Sequence, residues 1–208
     1  MNIAIIFAGG IGQRMGSNIP KQFLKVYGKP IIIHTLEKFQ YNSNIDLIYV
    51  ACKEDLIPLL NELIHKYQIT KIPNNGVVPG GKTGQDSIYN ALCAAKKDNS
   101  GDSIVLIHDG VRPIITDDVI NKNIESVIQN GSAITCTACY ETPVISYNSK
   151  DIDELPKRRF VYTAQAPQSF YLDKILEVHE IVRKNNPDYI DIVDSCTLMK
   201  NCGFNVSI

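Results

Sequence analysis

The chain begins with the sequence MNIAIIFAGGIGQRMG, residues 1–16. The apolar run from Asn2 to Phe7 has the pattern of a buried strand, and it ends in a turn rich in glycine. Glycine lets backbone N–H groups approach an anion closely, because no Cβ stands in the way. Arg14, and Lys21 shortly after it, add two positive charges to the same loop. The loop therefore favours a polyphosphate over a neutral ligand.

This loop differs from the two common nucleotide-binding motifs. A Walker loop requires G-x-x-x-x-G-K-[ST], whereas here Gly16 is followed by Ser17 and Asn18. A dinucleotide fingerprint requires G-x-G-x-x-G at the start of a helix, but the third glycine is missing and Pro20 interrupts the stretch. From spacing alone, a structural turn that carries two solvated cations remains an alternative to a phosphate site.

Composition limits the class of protein. The 208 residues are 44% hydrophobic and carry a net charge of −1. This length favours one domain that spans residues 1–208, and the near-neutral charge argues against a broad nucleic-acid or membrane surface. We find no apolar run long enough for a transmembrane helix, and no basic region with a cleavage site at the N-terminus. Six cysteines without such a signal are typical of reduced thiols, so we expect a cytoplasmic protein.

Cys136 and Cys139 have the C-x-x-C spacing of redox and zinc sites. They lie in the stretch 132–140, which has the composition of a strand, where residues three apart point to opposite faces. Cys196 and Cys202 have a different spacing and do not supply a second pair. We therefore expect no metal or redox role for these cysteines.

Strand-like and helix-like stretches alternate along the chain. The pattern predicts strands at residues 2–7, 46–52, 103–108 and 132–139, and helices at residues 30–40, 56–67, 85–97, 117–130, 172–184 and 192–201. Such alternation predicts an α/β fold with a mostly parallel sheet and helices on both faces. Ligands of these sheets bind beyond the carboxyl ends of the strands, where the Ala8–Lys21 loop and Asp109 lie.

Residues 140–162 break this alternation. The segment is polar, contains Pro143 and Pro156, and includes the turn sequence Asn148–Asp151. Its composition is compatible with a protruding hairpin and also with a flexible loop.

Motifs along nearly the whole chain resemble those of one enzyme family. They are the loop at residues 8–16, PKQFL at 20–24, GKPI at 28–31, the glycine pair 80–81, DSI at 86–88, HDGVRP at 108–113, Arg158 and APQSF at 166–170. In this order they resemble the CTP-dependent polyol-phosphate cytidylyltransferases, which make CDP-ribitol or CDP-methylerythritol. The resemblance implies a Rossmann-like nucleotidyltransferase fold of the GT-A type. It also implies a protruding β-arm at about residues 140–163 that embraces a second subunit in a homodimer.

The resemblance further implies that the enzyme transfers CMP from CTP to a polyol phosphate, with Mg²⁺ as cofactor. The nucleophile is a phosphate oxygen that is already mostly ionised at pH 7, so no general base is needed. Catalysis then depends on positioning and on cations that stabilise charge at the α-phosphorus. Arg14 and Lys21 match the two catalytic cations of the family.

The family pattern also implies the substrate contacts. The residues that match nucleotide-binding positions are Ala8, Gly9, Gly10, Gly12, Gly80, Gly81, Ser87 and Asp109. Asp109 also matches the acid near the metal, and its alternative role is a turn cap before Val111. The residues that match acceptor-binding positions are Thr142, Arg158 and Arg112, of which the first two belong to the arm of the partner subunit.

Three of the charged positions have simpler alternatives. Arg112 either contacts substrate or pins its own loop through a buried ion pair, and the sequence favours neither role. His108, at the end of a strand, is interpreted as structural. Arg158 is followed by Arg159, so the match can slip by one position, and both can belong to a solvated basic cluster with Lys157.

The sequence departs from the family pattern in three places. Gly84 stands where many relatives carry an arginine, so we expect Lys82 to supply the nearby charge. Ala166 replaces the usual threonine before Pro-Gln, which removes a hydroxyl near the acceptor. The sequence ends at Ile208, before the segment whose lysine contacts the nucleotide phosphates in relatives. This ending predicts either a shortened chain or an altered or lost activity.

The acceptor is less clearly specified than the reaction. The motifs PKQFL, GKPI and PQSF look closer to the branch that uses ribitol 5-phosphate, and methylerythritol 4-phosphate is the alternative. A non-catalytic nucleotide-binding dimer is a further hypothesis, but the presence of Arg14, Lys21 and Asp109 argues against it. An NAD(P)-binding domain is disfavoured by the missing third glycine and by Val50–Lys53, where the second strand ends without an acidic residue.

Overall fold

A computed structural model describes residues 1–9, 19–99 and 102–208. Its strands are β1 (Asn2–Ala8), β2 (Lys25–Val26), β3 (Lys29–Pro30), β4 (Leu47–Cys52), β5 (Val77–Pro79), β6 (Ile104–Asp109), β7 (Ser132–Ala138) and β8 (Tyr162–Tyr171). Its α-helices are α1 (Ile31–Tyr41), α2 (Ile57–Lys66), α3 (Gly84–Asp98), α4 (Asp117–Asn130), α5 (Leu172–Asn185) and α6 (Ser195–Asn201). Single turns of 3₁₀ helix lie at Lys21–Phe23, Glu54–Leu56 and Arg158–Phe160.

The central sheet has six strands within the described residues, in the order β5-β4-β1-β6-β8-β7. The first four are parallel, and β8 pairs antiparallel with both β6 and β7. The predicted mostly parallel sheet is therefore confirmed. Because β1 lies between β4 and β6, the loop that follows it leaves from the middle of the sheet, which is where ligands of such folds bind.

The apolar run of β1 is explained by burial on both faces of the sheet. Ala4 and Ile6 belong to one core, together with side chains of α1, α2 and α4. Ile3 and Ile5 belong to a second core, with side chains of α3, α5 and α6. Successive residues of a strand point to opposite faces, so a strand covered on both sides is apolar throughout. Helices therefore cover both faces, as predicted.

The helix that begins at residue 117 follows the sequence prediction closely. The Oγ1 of Thr116 accepts a hydrogen bond from the Val119 N–H at 3.4 Å, and Gly131 ends the helix in the left-handed conformation. The predicted helix at 192–201 is wrong at its start, because Asp194 caps a helix that begins at Ser195. The carboxylate of Asp194 accepts from the Thr197 N–H at 2.7 Å, which sets that boundary.

Two strands of the sheet were not predicted. β5 has only three residues, too few for a periodic signal. β8 contains Pro167, and its first four residues are exposed while Pro167–Phe170 are buried, so it shows no regular alternation. Both strands exist because neighbouring strands supply their hydrogen-bond partners.

The segment between β7 and β8 leaves the sheet and has little regular secondary structure. An antiparallel bridge joins Ile145 to Glu154, with N–H···O distances of 3.0 and 3.2 Å. Inside it, the side chain of Asn148 accepts from the N–H groups of Lys150 and Asp151 and stabilises the turn. The predicted turn is therefore present, while a protruding arm that embraces a partner stays a prediction.

Across the described ranges, no helix combines the length and the apolar character needed to span a bilayer.

Candidate active site

The carboxyl ends of the parallel strands gather several of the predicted site residues. β1 ends at Ala8 and leads into Gly9, β6 ends at Asp109, and β5 leads directly into the glycine pair Gly80 and Gly81. The predicted site residues Gly10, Gly12 and Arg14 lie outside the described residues.

Three of the predicted glycines lie around one serine. A Cβ on Gly9 would lie 3.1 Å from the Oγ of Ser87, and a Cβ on Gly80 would lie 3.0 Å from the same atom. The N–H of Gly81 donates to this Oγ at 3.0 Å. A methyl group at either of the first two positions would crowd this hydroxyl, which would have to shift by a small distance.

Ser87 holds this turn together. Its hydroxyl donates to the carbonyl of Thr83 at 3.0 Å and accepts from Gly81, and the residue is buried. The single hydroxyl proton is therefore already used inside the protein. The predicted contact of Ser87 with the nucleotide stays a prediction, while its observed partners are in the turn.

The turn is closed by a capping box at the start of α3. The Oγ1 of Thr83 accepts from the Asp86 N–H at 3.0 Å, and Oδ2 of Asp86 accepts from the Thr83 N–H at 3.2 Å. A Cβ on Gly81 would lie only 2.1 Å from the Asp86 Cβ, so this glycine is required by the fold itself. These contacts fix the position of the main chain of the glycine pair.

Arg183 secures the capping box from a different helix. Its Nη1 donates to Oδ1 of Asp86, and its guanidinium lies 4.4 Å from the centre of the Tyr89 ring. Beneath it, Nδ1 of His179 lies 2.7 Å from the Tyr189 hydroxyl, and burial lowers the pKa of His179 to about 3. Sequence reasoning did not find Arg183, which is 97 positions from Asp86 and belongs to no local motif.

Asp109 and Arg112 form an ion pair at the end of β6. Nε of Arg112 donates to Oδ2 of Asp109 at 2.7 Å, and the two side chains are 55% and 27% exposed. The alternative of an ion pair for Arg112 is therefore observed, but the predicted burial of that pair is wrong. The N–H of Gly110 donates to the carbonyl of Phe7 at 3.0 Å, which holds this turn against the end of β1.

His108 occupies a structural position, in agreement with its interpretation from sequence. It is buried, its Nε2 lies 3.0 Å from the Arg112 carbonyl oxygen, and its ring packs on Phe39. Burial is the main cause that lowers its pKa. The side chain therefore stays neutral near pH 7 and supports the loop that presents Asp109.

Lys21 is presented by a 3₁₀ turn that is anchored on both sides. Nε2 of Gln22 donates to the Ala8 carbonyl at 2.7 Å, and Phe23 is buried in the core. These contacts hold the exposed Lys21 close to the end of β1. Gln22 is therefore a positioning residue. It lies within the PKQFL motif but was not among the predicted site residues.

Thr142 and Arg158, predicted to bind the acceptor, lie outside the strands of the central sheet. Both are exposed, in the segment between β7 and β8. Nη1 of Arg158 donates to the Tyr140 carbonyl at 2.8 Å, while Arg159 stacks on Phe160 at 4.7 Å. Neither predicted residue lines the two concave regions described next.

Two concave regions lie along this edge of the sheet. The first, which we call the glycine hollow, is open, has a volume of about 620 Å³ and is lined by Gly9, Lys53, Glu54, Asp55, Gly80 and Gly81. The second, which we call the β8 cavity, is more enclosed and has a volume of about 230 Å³. Its lining residues are Phe7, Gly84, Gln85, Ile88, Ile107, Asp109, Arg112, Ala164, Gln165, Ala166, Gln168, Val193, Asp194 and Ser195.

Asp109 is the candidate metal ligand at the strand ends. Among the described residues, no group of three or more histidine, cysteine or acidic side chains could hold a metal ion. Mg²⁺ commonly binds through one or two carboxylates plus the phosphates of its substrate, and it keeps several waters. Asp109 is one such carboxylate, so the residues at the strand ends are compatible with a Mg²⁺ that is held mainly by substrate phosphates.

Comparisons with known proteins agree with this geometry. The family model described as IspD, 2-C-methyl-D-erythritol 4-phosphate cytidylyltransferase, matches residues 2–208. The chain is 49% identical to a ribitol-5-phosphate cytidylyltransferase of Vibrio parahaemolyticus, over 100% of this chain and 86% of the relative. It is 39% identical to a 2-C-methyl-D-erythritol 4-phosphate cytidylyltransferase of Clostridium botulinum, over 99% and 86%.

Solved structures give the same result. The 2-C-methyl-D-erythritol 4-phosphate cytidylyltransferase of Francisella tularensis superposes with a TM-score of 0.80 at 29% identity, over 99% of this chain and 88% of that chain. The 4-diphosphocytidyl-2C-methyl-D-erythritol synthase of Anaerococcus prevotii gives 0.82 at 26% identity, over 99% and 84%. Sequence and fold together show that the chain belongs to the IspD family of cytidylyltransferases.

Proposed function

We propose that the protein transfers CMP from CTP to D-ribitol 5-phosphate and releases pyrophosphate. The observation that carries this proposal is the 49% identity, over the whole chain, to a relative named ribitol-5-phosphate cytidylyltransferase. Two further relatives of that name, from Streptococcus agalactiae, are 47% and 46% identical over 96% of the chain.

The proposed chemistry needs cations rather than a general base. A phosphate oxygen of the acceptor attacks the α-phosphorus of CTP, the bond from that phosphorus to the bridging oxygen breaks, and pyrophosphate leaves. The attacking phosphate has a second pKa of about 6 and is mostly ionised at pH 7. The protein then has to bring two polyanions together and to stabilise the charge at the α-phosphorus.

The proposed roles follow the two concave regions. The glycine hollow, with the loop before Lys21, receives the nucleotide, because a main chain without side chains admits a flat base closely and the cations Arg14 and Lys21 suit phosphates. Arg14 and Lys21 stabilise the transferring phosphoryl group. Asp109 is proposed to hold Mg²⁺, which, when bound, would neutralise phosphate charge.

A second candidate acceptor is 2-C-methyl-D-erythritol 4-phosphate. It is favoured by the description of the matching family model and by the relatives of that name at 39% identity. Both acceptors are short polyol phosphates, so the same strand ends could receive either one. The lower identity makes this the alternative.

The direct test is pyrophosphate release with CTP, Mg²⁺ and each acceptor in turn, with the other nucleoside triphosphates as controls. We expect release with CTP and ribitol 5-phosphate and much less with methylerythritol 4-phosphate. The reverse preference would replace the acceptor and keep the reaction. CTP binding without release with either acceptor would favour the non-catalytic binder.

We also propose that two copies associate through residues 140–162. Exposed aromatic side chains of this segment support the proposal, since interaction surfaces are formed by exposed apolar patches. They are Tyr140, Tyr147, Phe160 and Tyr162. The proposed partner contacts are Thr142 and Arg158. Sedimentation equilibrium should give twice the mass of one chain, and a monomer at micromolar concentration would contradict the proposal.

A cytoplasmic location likewise stays a prediction.

A further inference from the structure

Two residues that line the β8 cavity each have a buried side-chain atom without a hydrogen-bond partner. They are Oε1 of Gln85 and Oγ of Ser195, in residues that are 3% and 1% exposed. Among the described residues, only two other buried side-chain atoms are unpaired, and both belong to the histidines His108 and His179. Buried polar groups are nearly always paired in folded proteins, so two unpaired atoms beside one cavity need an explanation.

Two neighbouring polar side chains of the cavity, Gln168 and Asp194, bond to each other and to the main chain of α6 rather than to Gln85 or Ser195. Nε2 of Gln168 donates to the Asp194 carboxylate at 2.9 Å, and its Oε1 accepts from the Cys196 N–H at 2.8 Å. The other carboxylate oxygen of Asp194 accepts from the N–H of Thr197 at 2.7 Å. This network includes neither Oε1 of Gln85 nor Oγ of Ser195, which remain without a partner.

The unpaired atoms specify the kind of group that would satisfy them. Oε1 of Gln85 can only accept a hydrogen bond, whereas the hydroxyl of Ser195 can both donate and accept. A ligand hydroxyl can do both, so a ligand with several hydroxyls would pair with both residues. Phe7, Ile88 and Ile107 supply apolar walls for the carbon atoms of such a ligand.

The size and the charge of the cavity narrow the choice. Its volume of about 230 Å³ equals that of roughly seven or eight water molecules at about 30 Å³ each. A five-carbon chain with hydroxyl groups suits such a space better than a complete nucleoside triphosphate. Asp109 and Arg112 also line the cavity, so its charged part adjoins the proposed Mg²⁺ and phosphate region.

We infer that Gln85 and Ser195 determine acceptor specificity by hydrogen bonding to the hydroxyl groups of the polyol phosphate in the β8 cavity. This inference rests on the proposed function. Gln85 accepts from one hydroxyl of the acceptor, and Ser195 pairs with another. Both residues recognise the acceptor and neither takes part in the transfer of CMP.

The test is acceptor binding by titration calorimetry, with and without a CTP analogue that has a methylene bridge between the α- and β-phosphates. Ser195→Ala and Gln85→Met should each weaken binding of ribitol 5-phosphate by about threefold to tenfold and leave binding of the CTP analogue unchanged. Ser195→Ala should also keep or raise the thermal unfolding midpoint, because it removes a buried hydroxyl that lacks a partner. A merely structural serine would instead lower that midpoint.

Ser169→Ala is the matched control. Ser169 is also a buried serine, on β8, but its hydroxyl donates to Oδ1 of Asn123 at 2.8 Å and it does not line the cavity. This variant should lower the unfolding midpoint and leave acceptor binding unchanged. Equal acceptor binding by wild-type protein, Ser195→Ala and Gln85→Met would overturn the inference.

Deoxy analogues of ribitol 5-phosphate make the test specific for a hydroxyl contact. The loss caused by Ser195→Ala should disappear for the analogue that lacks the hydroxyl bound by Ser195 and persist for the others. An equal loss for every analogue would overturn the inference. Binding of ribitol 5-phosphate without turnover in the pyrophosphate assay would reject the proposed function while the variants still decide the inference. Failure of wild-type protein to bind ribitol 5-phosphate at all would overturn the inference.

Discussion

The glycine hollow and the β8 cavity lie at the same edge of the sheet but are built differently. Around the glycine hollow, the polar side chains of Thr83, Asp86 and Ser87 are all paired with one another or with the main chain. Beside the β8 cavity, Gln85 and Ser195 each keep a buried polar atom unpaired. The hollow therefore offers the shape of a main chain without side chains, because the N–H groups of Gly80 and Gly81 are already bonded within the protein, whereas the cavity is lined by side chains that each keep a polar atom unpaired.

This difference separates two ways to recognise a substrate. A rigid main-chain surface loses little conformational freedom when a ligand binds and can approach a flat base or a phosphate closely. Unpaired side-chain groups reject a ligand that lacks the matching hydroxyls, because the mismatch leaves them buried and unsatisfied. We therefore expect variants around the hollow to change nucleotide binding and stability together. Ser195→Ala and Gln85→Met, beside the cavity, should change acceptor binding and leave nucleotide binding unchanged.

We expect the largest effect on turnover from the two cations that are proposed to stabilise the reacting phosphates. Lys21→Ala and Arg14→Ala should each lower kcat by about a hundredfold to a thousandfold, because each removes charge that stabilises the transition state. The measurement is steady-state pyrophosphate release. Lys25→Ala is the matched control, since Lys25 is exposed on β2, and it should retain normal turnover. Near-normal rates in both Lys21→Ala and Arg14→Ala would remove the catalytic role from this loop.

A methyl group on the glycine pair tests whether the hollow is rigid. Gly81→Ala should lower the free energy of unfolding by about 1–3 kcal/mol and raise the KM for CTP, because the new Cβ would lie 2.1 Å from that of Asp86. Gly84→Ala, three residues later, has no atom within 4 Å of its Cβ and should be neutral or stabilise by about 0.4–1 kcal/mol. Urea unfolding checks both values. Equal stabilities of the two variants would show that the turn adapts freely.

The dependence of stability on pH tests the packing around the buried side chain of His179. The pKa of His179 is about 3 in the folded protein, below the unfolded value of about 6.5, so only the unfolded chain gains this proton between those pH values. Its contribution to stability is therefore full above pH 6.5 and is lost as the pH falls towards 3, by up to about 1.4 kcal/mol per pH unit.

His179→Gln should lower by up to one the number of protons that the protein takes up on unfolding between pH 3 and pH 6.5. Urea unfolding at several pH values measures this number as the slope of the free energy of unfolding with pH. His65→Gln, at an exposed position on α2, is the control and should leave the slope unchanged. An unchanged slope in His179→Gln would show that other groups account for the acid sensitivity. His108 is also buried with a lowered pKa, so part of the slope should remain in the variant.

The smallest effect is expected from the ion pair that secures the capping box. Arg183→Met should lower the free energy of unfolding by about 1 kcal/mol and weaken CTP binding, because Asp86 keeps its bonds to Thr83 but loses the guanidinium. Lys122→Met breaks the exposed pair with Asp118 and should leave both properties nearly unchanged. Normal CTP affinity in Arg183→Met, despite lower stability, would separate this pair from the nucleotide site.

Most of the fold could be predicted because its signals are local. The apolar run of β1, the cap at Thr116 and the spacing of apolar residues in α3 each depend on a few neighbouring residues. β8 was missed because half of it is exposed and half buried, so its strand structure depends on β6 and β7. The boundary of α6 was misplaced because the capping role of Asp194 outweighed the apolar residues before it.

The sequence predicted only those candidate site residues that belong to a recognisable motif. Lys21, Asp109 and the glycine pair stand in short stretches of distinctive composition, and the structure brings all of them to the carboxyl ends of the strands. Gln85 and Ser195 gave no signal, because a buried glutamine and a buried serine are unremarkable until their missing partners are seen. Their positions are more than a hundred residues apart in the chain.

The order of residues alone was enough to identify an α/β protein and its covered parallel strands, and it also predicted a loop suited to a polyphosphate. These features follow from periodicity and composition over a few residues, and such patterns survive without knowledge of the folded state. The contacts between residues that are distant in sequence were decided only by the tertiary structure. The pairing of Arg183 with Asp86 and the unpaired atoms beside the β8 cavity exist because strands and helices distant in sequence pack against each other, and hydrogen-bond partners are assigned only in that packing.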